Sequence, residues 1–277
     1  MVATPIGNAR DITLRALDVL EAADAIAAED TRETLKLMRM HKVSTRGRPV
    51  VSYNDRNGPE RRPRIMGWLR EGLSVALCSD AGTPLIADPG YRLVEEAHAA
   101  GLPVTAVPGP SAVVTALTLT GLPSDRFLFA GFLPPRQGAR RRALAALAAV
   151  PATLVLYESP RRLAAALADM AQVLGAERAG AVARELTKRF EEVRRGSLAE
   201  LARHYAESGA PKGEVVLMAG PPSAAQPGGH GESGSIDAAL REALATGSVR
   251  DAARDVAERL GLPRREVYAR ALALARR

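Results

Sequence analysis

The stretch Ser79-Asp80-Ala81-Gly82-Thr83-Pro84-Leu85-Ile86-Ala87-Asp88-Pro89-Gly90 follows the apolar run Ser74-Val75-Ala76-Leu77-Cys78. The run reads as a buried strand. The dozen residues after it hold two prolines, two glycines and two aspartates. A strand ending in such a loop presents backbone N–H groups and short polar side chains at its carboxyl end, the edge where open α/β sheets bind ligands. Two further segments repeat the plan. Val2-Ala3-Thr4-Pro5-Ile6-Gly7-Asn8 runs from a strand into a Pro/Gly turn and then a helix from about Thr13. Val104-Thr105-Ala106-Val107-Pro108-Gly109-Pro110-Ser111-Ala112 does the same. Each rigid turn lets main chain approach a ligand, and each helix start offers unpaired N–H donors. Tight turns use Gly and Pro anyway, so it is the threefold repetition that points to a small-molecule site.

Strands and helices alternate around these loops. Strands are expected at Ala25–Ala28, Pro49–Tyr53, Ser74–Cys78 and Val104–Val107. Helices are expected at Leu14–Ala23, Thr34–His41, Arg64–Arg70, Tyr91–Ala100 and from Ser111. This βαβα rhythm predicts a parallel, doubly wound sheet. A second α/β segment with a mixed sheet follows. Its strands are expected at Phe127–Leu133, Thr153–Tyr157, Ala179–Ala183, Glu191–Gly196 and Glu214–Ala219. Residues 221–235 have the Gly/Pro/Ser composition of a flexible linker. Beyond it, 236–245, 248–260 and 264–275 read as three short amphipathic helices resembling a helix-turn-helix bundle, with Ser248 as an N-cap and Pro263 as a helix start. The expected domains are therefore 1–117, 118–220 and 236–277.

The composition limits the function classes. Apolar residues make up 47% of 277 residues and aromatics only 4%, so Ala, Leu and Val must build the core and few rings are left for base stacking. The net charge of +7 suits a polyanionic partner. The single cysteine, Cys78, rules out an internal disulfide and reads as a buried thiol. The four histidines lack metal-ligand spacing, and no metal is expected. No signal peptide or long apolar span is present, so a cytoplasmic protein without a membrane segment is expected.

The motifs carry a more specific reading. Ala3–Asn8, Asp11–Leu17, Ala28–Arg32, Ser79–Gly90, Pro108–Ala112, Tyr157–Pro160 and Ala183–Lys188 occur in an order that resembles the tetrapyrrole methylase superfamily, in its bacterial branch acting on small-subunit ribosomal RNA. The resemblance runs to about residue 220. It implies two α/β domains with S-adenosylmethionine in the cleft between them, and a small C-terminal helical domain. It also implies 2′-O-methylation of a decoding-centre cytidine in 16S ribosomal RNA of the small subunit, and a homodimer. A Rossmann-type G-x-G-x-G is absent after the first strand, so the cofactor is named by the resemblance alone. By the family pattern Ile6, Asp80, Ala81, Gly82, Thr83, Ile86, Ser111, Ala112 and Glu158 contact the cofactor. The family pattern also implies further apolar residues ahead of Val2, so the first strand is expected to be short.

A ribose hydroxyl is a weak acid, so a base or a charge-stabilising group assists its methylation. Glu185 is a candidate proton acceptor, with Lys188 or Arg184 holding a phosphate or the alkoxide. The same three residues suit a structural ion-pair set equally well. Glu29-Asp30-Thr31-Arg32 is a second polar cluster for the acceptor side, with Asp30 also suited to cap a helix. Arg61, Arg62, Arg136, Arg140, Arg141, Arg142 and Arg161 are candidates for RNA phosphates, as are Arg64, Arg194 and Arg195, and in the tail Arg264, Arg265, Arg276 and Arg277. Methylation of a tetrapyrrole ring carbon and a non-enzymatic role in ribosome assembly remain open, since fold does not fix function.

Overall fold

The computed structural model describes residues 1–222, 232–245, 247–260 and 264–275. Met1–Pro222 form one compact unit and Ser223–Arg277 a second.

The first unit holds two sheets. In the first, β1 (Ala25–Ala28) lies between β2 (Val50–Ser52) and β3 (Val75–Cys78), and all pairs are parallel. Helices α1 (Leu14–Ala22), α2 (Thr31–Met40), α3 (Gly58–Arg70) and α4 (Tyr91–Ala99) alternate with these strands. Every residue of β1 is buried, as a central parallel strand requires. Asp30 caps α2 by accepting from the Arg32 N–H. Two expected strands are reduced to single bridges. Val2 pairs in parallel with Cys78 on one side and with Val107 on the other. The Met1 nitrogen donates to Thr105 O at 2.8 Å, and Val107 N donates to Met1 O at 2.8 Å. Among the described residues the segment Val104–Val107 thus has Met1–Ala3 alone as its ladder partner, too short for a continuous strand. Burial holds the Met1 ammonium below its ordinary pKa. A cavity of about 570 Å³ opens beside it, lined by Val75, Leu77, Leu93, Leu102 and Val104 among others.

The second sheet has the order β4 (Phe127–Phe132), β5 (Thr153–Glu158), β8 (Val215–Ala219), β6 (Ala179–Arg184), β7 (Glu192–Ser197). Only β4 and β5 run parallel, so the sheet is mixed as expected. Helices α6 (Gln137–Leu147), α7 (Leu163–Leu174) and α8 (Leu198–Ser208) cover one face. On the other, Val113, Ala116 and Leu117 of α5 (Ala112–Thr120) pack against Val155, Ala181 and Val216. The expected boundary after residue 117 falls inside this helix, whose apolar face belongs to the second sheet.

In the C-terminal unit, α9 (Glu232–Leu244), α10 (Val249–Leu260) and α11 (Arg264–Ala275) enclose Leu240, Val256, Ala257, Val267 and Ala271. Ser248 Oγ accepts from Asp251 N, capping α10. The linker expected at 221–235 falls mostly outside the described residues, as do Pro263, Arg276 and Arg277. No described helix is long and apolar enough to cross a membrane.

Candidate active site

Three loops meet at the carboxyl end of the first sheet, and hydrogen bonds pin them together. Thr4 and Gly82 exchange both backbone hydrogen bonds, at 2.9 and 3.0 Å. Thr4 Oγ1 donates to Ser79 O at 3.1 Å, and Thr83 Oγ1 donates to Pro110 O at 2.9 Å. Gly82 has φ +85°, a conformation open to glycine at no steric cost. Leu85 and Ala87 take φ of +72° and +65°. Non-glycine residues held there cost of order 1–3 kcal/mol each and gather at ligand clamps.

The loops wall a cavity of about 440 Å³ within the first unit, in the range of small-molecule sites. All nine residues named for the cofactor line it: Ile6, Asp80, Ala81, Gly82, Thr83, Ile86, Ser111, Ala112 and Glu158. Glu29 of the second polar cluster lines it too. The second sheet contributes Phe132, Tyr157, Ala183, Val215 and Val216, and Gly213 and Glu214 lead into β8 beside them; Phe132 and Gly213–Val216 carry no loop signature in the sequence.

Glu29, Asp80, Asp88, Glu158 and Glu214 line this cavity, and among the described residues no Lys or Arg does. Burial raises the pKa of Glu29, Asp80 and Asp88, and repulsion from neighbouring carboxylates adds to it, from Asp88 and Asp80 on Glu29, from Asp30 and Glu33 on Asp80, and from Asp80 on Asp88. Asp80 also orders the loop, its Oδ1 accepting from Asp30 N at 2.8 Å. Glu158 is 4% exposed. Its Oε1 accepts from Ser159 N and Arg162 Nε at 2.6 and 2.7 Å, while its buried Oε2 has no partner. Such an orphaned acceptor costs about 1–3 kcal/mol unless a ligand donates to it. The arrangement therefore fits a cationic ligand with hydrogen-bond donors, as S-adenosylmethionine is through its sulfonium charge and its ammonium N–H groups. Among the described residues no group of three or more His, Cys, Asp or Glu is arranged to hold a metal ion.

Arg184, Glu185 and Lys188 stand outside this cavity. Lys188 Nζ bridges Glu185 Oε1 and Glu214 Oε2 at 2.9 and 2.8 Å, and Glu185 Oε1 also accepts from Glu214 N. Arg184 pairs with Glu192 at 3.0 Å. The Lys188 ammonium holds the Glu185 carboxyl below its ordinary pKa, which opposes proton acceptance. The Glu185 carboxylate is thus engaged in the ion-pair arrangement that the sequence also allowed. Lys188 lines a neighbouring cavity of about 260 Å³ with Gly7, Glu33 and Lys36.

The expected RNA arginines divide. Arg136, Arg142 and Arg161 are exposed. Arg61 lies 3.6 Å from Glu60, and Arg62 pairs with Glu96 at 2.8 Å. Arg140 is only 5% exposed. Its guanidinium meets Asp169 at 2.6 Å and Arg141 meets the same carboxylate at 2.6 Å, so Arg140 is a core ion-pair residue and not a phosphate contact. Arg264 and Arg265 of the tail are exposed.

Comparison with known proteins matches residues 1–202 to the model of Tetrapyrrole (Corrin/Porphyrin) Methylases and residues 230–275 to the RsmI C-terminal HTH domain. A ribosomal RNA small subunit methyltransferase I of Mesorhizobium japonicum is 50% identical, the match covering 99% of this chain and 91% of the relative. A protein of the same name from Micromonospora olivasterospora is 45% identical over 97% of this chain and 84% of its own. Among solved structures, a uroporphyrin-III C-methyltransferase from Thermus thermophilus, complexed with S-adenosylhomocysteine, aligns with a TM-score of 0.53 at 19% identity. That alignment covers 79% of this chain and 95% of the other.

Proposed function

Because the chain belongs to the tetrapyrrole methylase family, among relatives named ribosomal RNA small subunit methyltransferase I, we propose that it methylates small-subunit ribosomal RNA from S-adenosylmethionine. The proposed acceptor is the 2′-hydroxyl of a decoding-centre cytidine in 16S ribosomal RNA. We further propose a cytoplasmic homodimer. The observation that carries the reading is the acidic cavity walled by all nine cofactor positions. The cofactor would supply an electrophilic methyl on a cationic sulfur. Gly82, Thr83 and Ala112 hold main chain against it, Glu29, Asp80 and Asp88 offset its charge, and Glu158 Oε2 accepts a donor. Ile6, Ile86 and Leu186 exclude water, which strengthens each of these interactions. Positioning of this kind supplies much of the barrier reduction in a group transfer. The exposed Arg161 follows the cavity-lining Pro160 and the exposed Arg136 lies four residues after the cavity-lining Phe132, and both suit phosphates outside the acidic wall. The same carboxylates disfavour a carboxylate-bearing porphyrinoid.

Incubation with tritiated S-adenosylmethionine and undermethylated 30S subunits, free ribosomal RNA or a porphyrinoid precursor tests this. Label on one ribosomal RNA cytidine, with the following phosphodiester resistant to alkali, is expected. Label on the porphyrinoid alone would transfer the chain to ring methylation. Glu158→Gln is expected to weaken cofactor binding about 10-fold or more, the value of a hydrogen bond to a charged group, as read by equilibrium dialysis. Unchanged affinity would mean that the orphaned oxygen meets no ligand.

A further inference from the structure

Phe127-Leu128-Phe129-Ala130-Gly131-Phe132 reads as an apolar strand, yet its last residue is 58% exposed. In a regular strand Phe132 shares a face with Leu128 and Ala130, which pack on the core beneath α6, α7 and α8. It does not do so here. Between the pairs Phe129↔Val155 and Phe132↔Tyr157, β4 uses one residue more than β5. That is a β-bulge, a device that re-aims side chains beside active sites. Gly131 sits in it at φ +65°. A Cβ there would meet nothing within 4 Å, so the backbone conformation alone calls for glycine. The bulge carries Phe132 to the Phe129 face. There both rings meet Tyr157 edge-on, with centroids 4.8 and 5.5 Å away. Tyr157 and Phe132 line the 440 Å³ cavity.

An exposed aromatic ring on an edge strand is ordinarily an aggregation hazard. Here a bulge and a supporting tyrosine hold it at the rim of an acidic cavity. Its exposure suits a ligand that arrives from outside and leaves after each turnover. With the proposed RNA acceptor, that ligand is a nucleobase. An extruded base needs a flat apolar surface, and the RNA carrying it needs cations outside the carboxylate wall. Arg136 follows four residues after Phe132, and Arg161 follows the cavity-lining Pro160.

Resting on that reading, we propose that Phe132 is the stacking platform for the acceptor nucleobase, which it holds while the ribose hydroxyl faces the methyl group. The test uses purified full-length protein, tritiated S-adenosylmethionine and undermethylated 30S subunits. Phe132→Ala is expected to raise KM for the subunits about 10- to 100-fold, the range of one base–aromatic stack, with cofactor affinity unchanged by equilibrium dialysis. Phe132→Trp and Phe132→Tyr should restore KM to within a few fold of wild type. Phe132→Leu, apolar but without a π face, should not. Unchanged KM in Phe132→Ala overturns the proposal, as does full rescue by Leu. Lost cofactor affinity in Phe132→Ala would reassign the ring to the cofactor's adenine, and a fall in oligomeric state by light scattering would reassign it to a subunit interface. If the wild type labels no RNA, the methyltransferase reading itself fails and the proposal with it.

Discussion

Asp169→Ala is expected to lower stability by about 3–5 kcal/mol, the cost of leaving a buried charge without its partner. Asp169 sits in the middle of α7 and is 1% exposed. Its carboxylate receives Arg140 Nε at 2.7 Å and Arg141 Nε at 2.6 Å, both from α6, with Gln137 Nε2 at 3.3 Å. Arg140 has one other partner, the Pro135 carbonyl at 3.1 Å. Removing the carboxylate strands a guanidinium on a residue that is only 5% exposed. At roughly 2–4 °C per kcal/mol for a unit of this size, the melting temperature should fall by about 10 °C. The double variant Asp169→Leu with Arg140→Met should recover most of that, because a well-packed apolar pair avoids the desolvation of both ions. Burial pushes the Asp169 carboxyl up, but the Arg141 and Arg140 bonds outweigh it, and the net shift is downward. A carboxyl lowered on folding contributes fully above its unfolded pKa of about 3.9 and loses that contribution as pH falls through the folded value. The gap between wild type and Asp169→Ala should therefore be constant at neutral pH and narrow below about pH 4. Thermal melts at pH 7 and pH 3 measure both effects. A change under about 1 kcal/mol at pH 7 would show that α6 opens to hydrate Arg140.

That pairing also shows where the sequence stops being legible. Arg140 stands in the basic run Arg140-Arg141-Arg142 and looks like part of a phosphate patch. Its partner lies 29 residues away on another helix, a distance that no local pattern spans. The loops at Thr4–Ile6, Asp80–Ile86 and Pro110–Ala112 were legible because Pro and Gly density after an apolar run has one economical meaning, a tight turn at a strand's carboxyl end. Their hydrogen bonds to one another were not, since Thr4 and Gly82 meet across almost 80 residues. Phe132 was missed for a different reason. An unbroken apolar run predicts burial on both faces, whereas β4 is an edge strand whose bulge turns its last ring outward. The composition argument that few aromatics are left for stacking counts rings without regard to their orientation. What matters is where the ring points. Glu185 and Lys188 were legible as a pair, and the same local spacing left their role undecided. The Glu214 backbone and carboxylate, bonded to both side chains, come from the residue leading into β8, which the local spacing does not reveal.

Gly82→Val is expected to weaken S-adenosylmethionine binding at least about 100-fold, or about 2.7 kcal/mol, with a much smaller loss of global stability. The backbone at φ +85° is closed to β-branched residues. A Cβ at this position would lie 3.3 Å from Ile6 Cγ2 and 3.7 Å from Pro110 O, and the two Cγ atoms of valine reach beyond it. The chain cannot relieve the clash by a small rotation. Gly82 N–H and C=O are both bonded to Thr4, and Ser79 Oγ donates to the same carbonyl at 3.3 Å. Relief requires the loop to leave Thr4, which moves Ala81 and Thr83 and breaks the Thr83–Pro110 bond. All three loops that wall the cavity are disturbed together, while two of the cores lie elsewhere and Ile6 reaches into the cluster beneath α5. Gly82→Ala separates the two contributions. Its single methyl asks Ile6 to yield a few tenths of an ångström and carries a positive-φ cost of about 1–2 kcal/mol, so an intermediate loss of roughly 10-fold is expected. Equilibrium dialysis with tritiated cofactor, beside a thermal melt of each variant, distinguishes a displaced loop from an unfolded protein. Wild-type affinity in Gly82→Val would remove the Asp80–Ile86 loop from the cofactor site, because no pose against that main chain could survive the displacement. A fall in melting temperature as large as that of Asp169→Ala would instead make the Thr4–Gly82 bridge a keystone of the fold, leaving its place in the binding wall secondary.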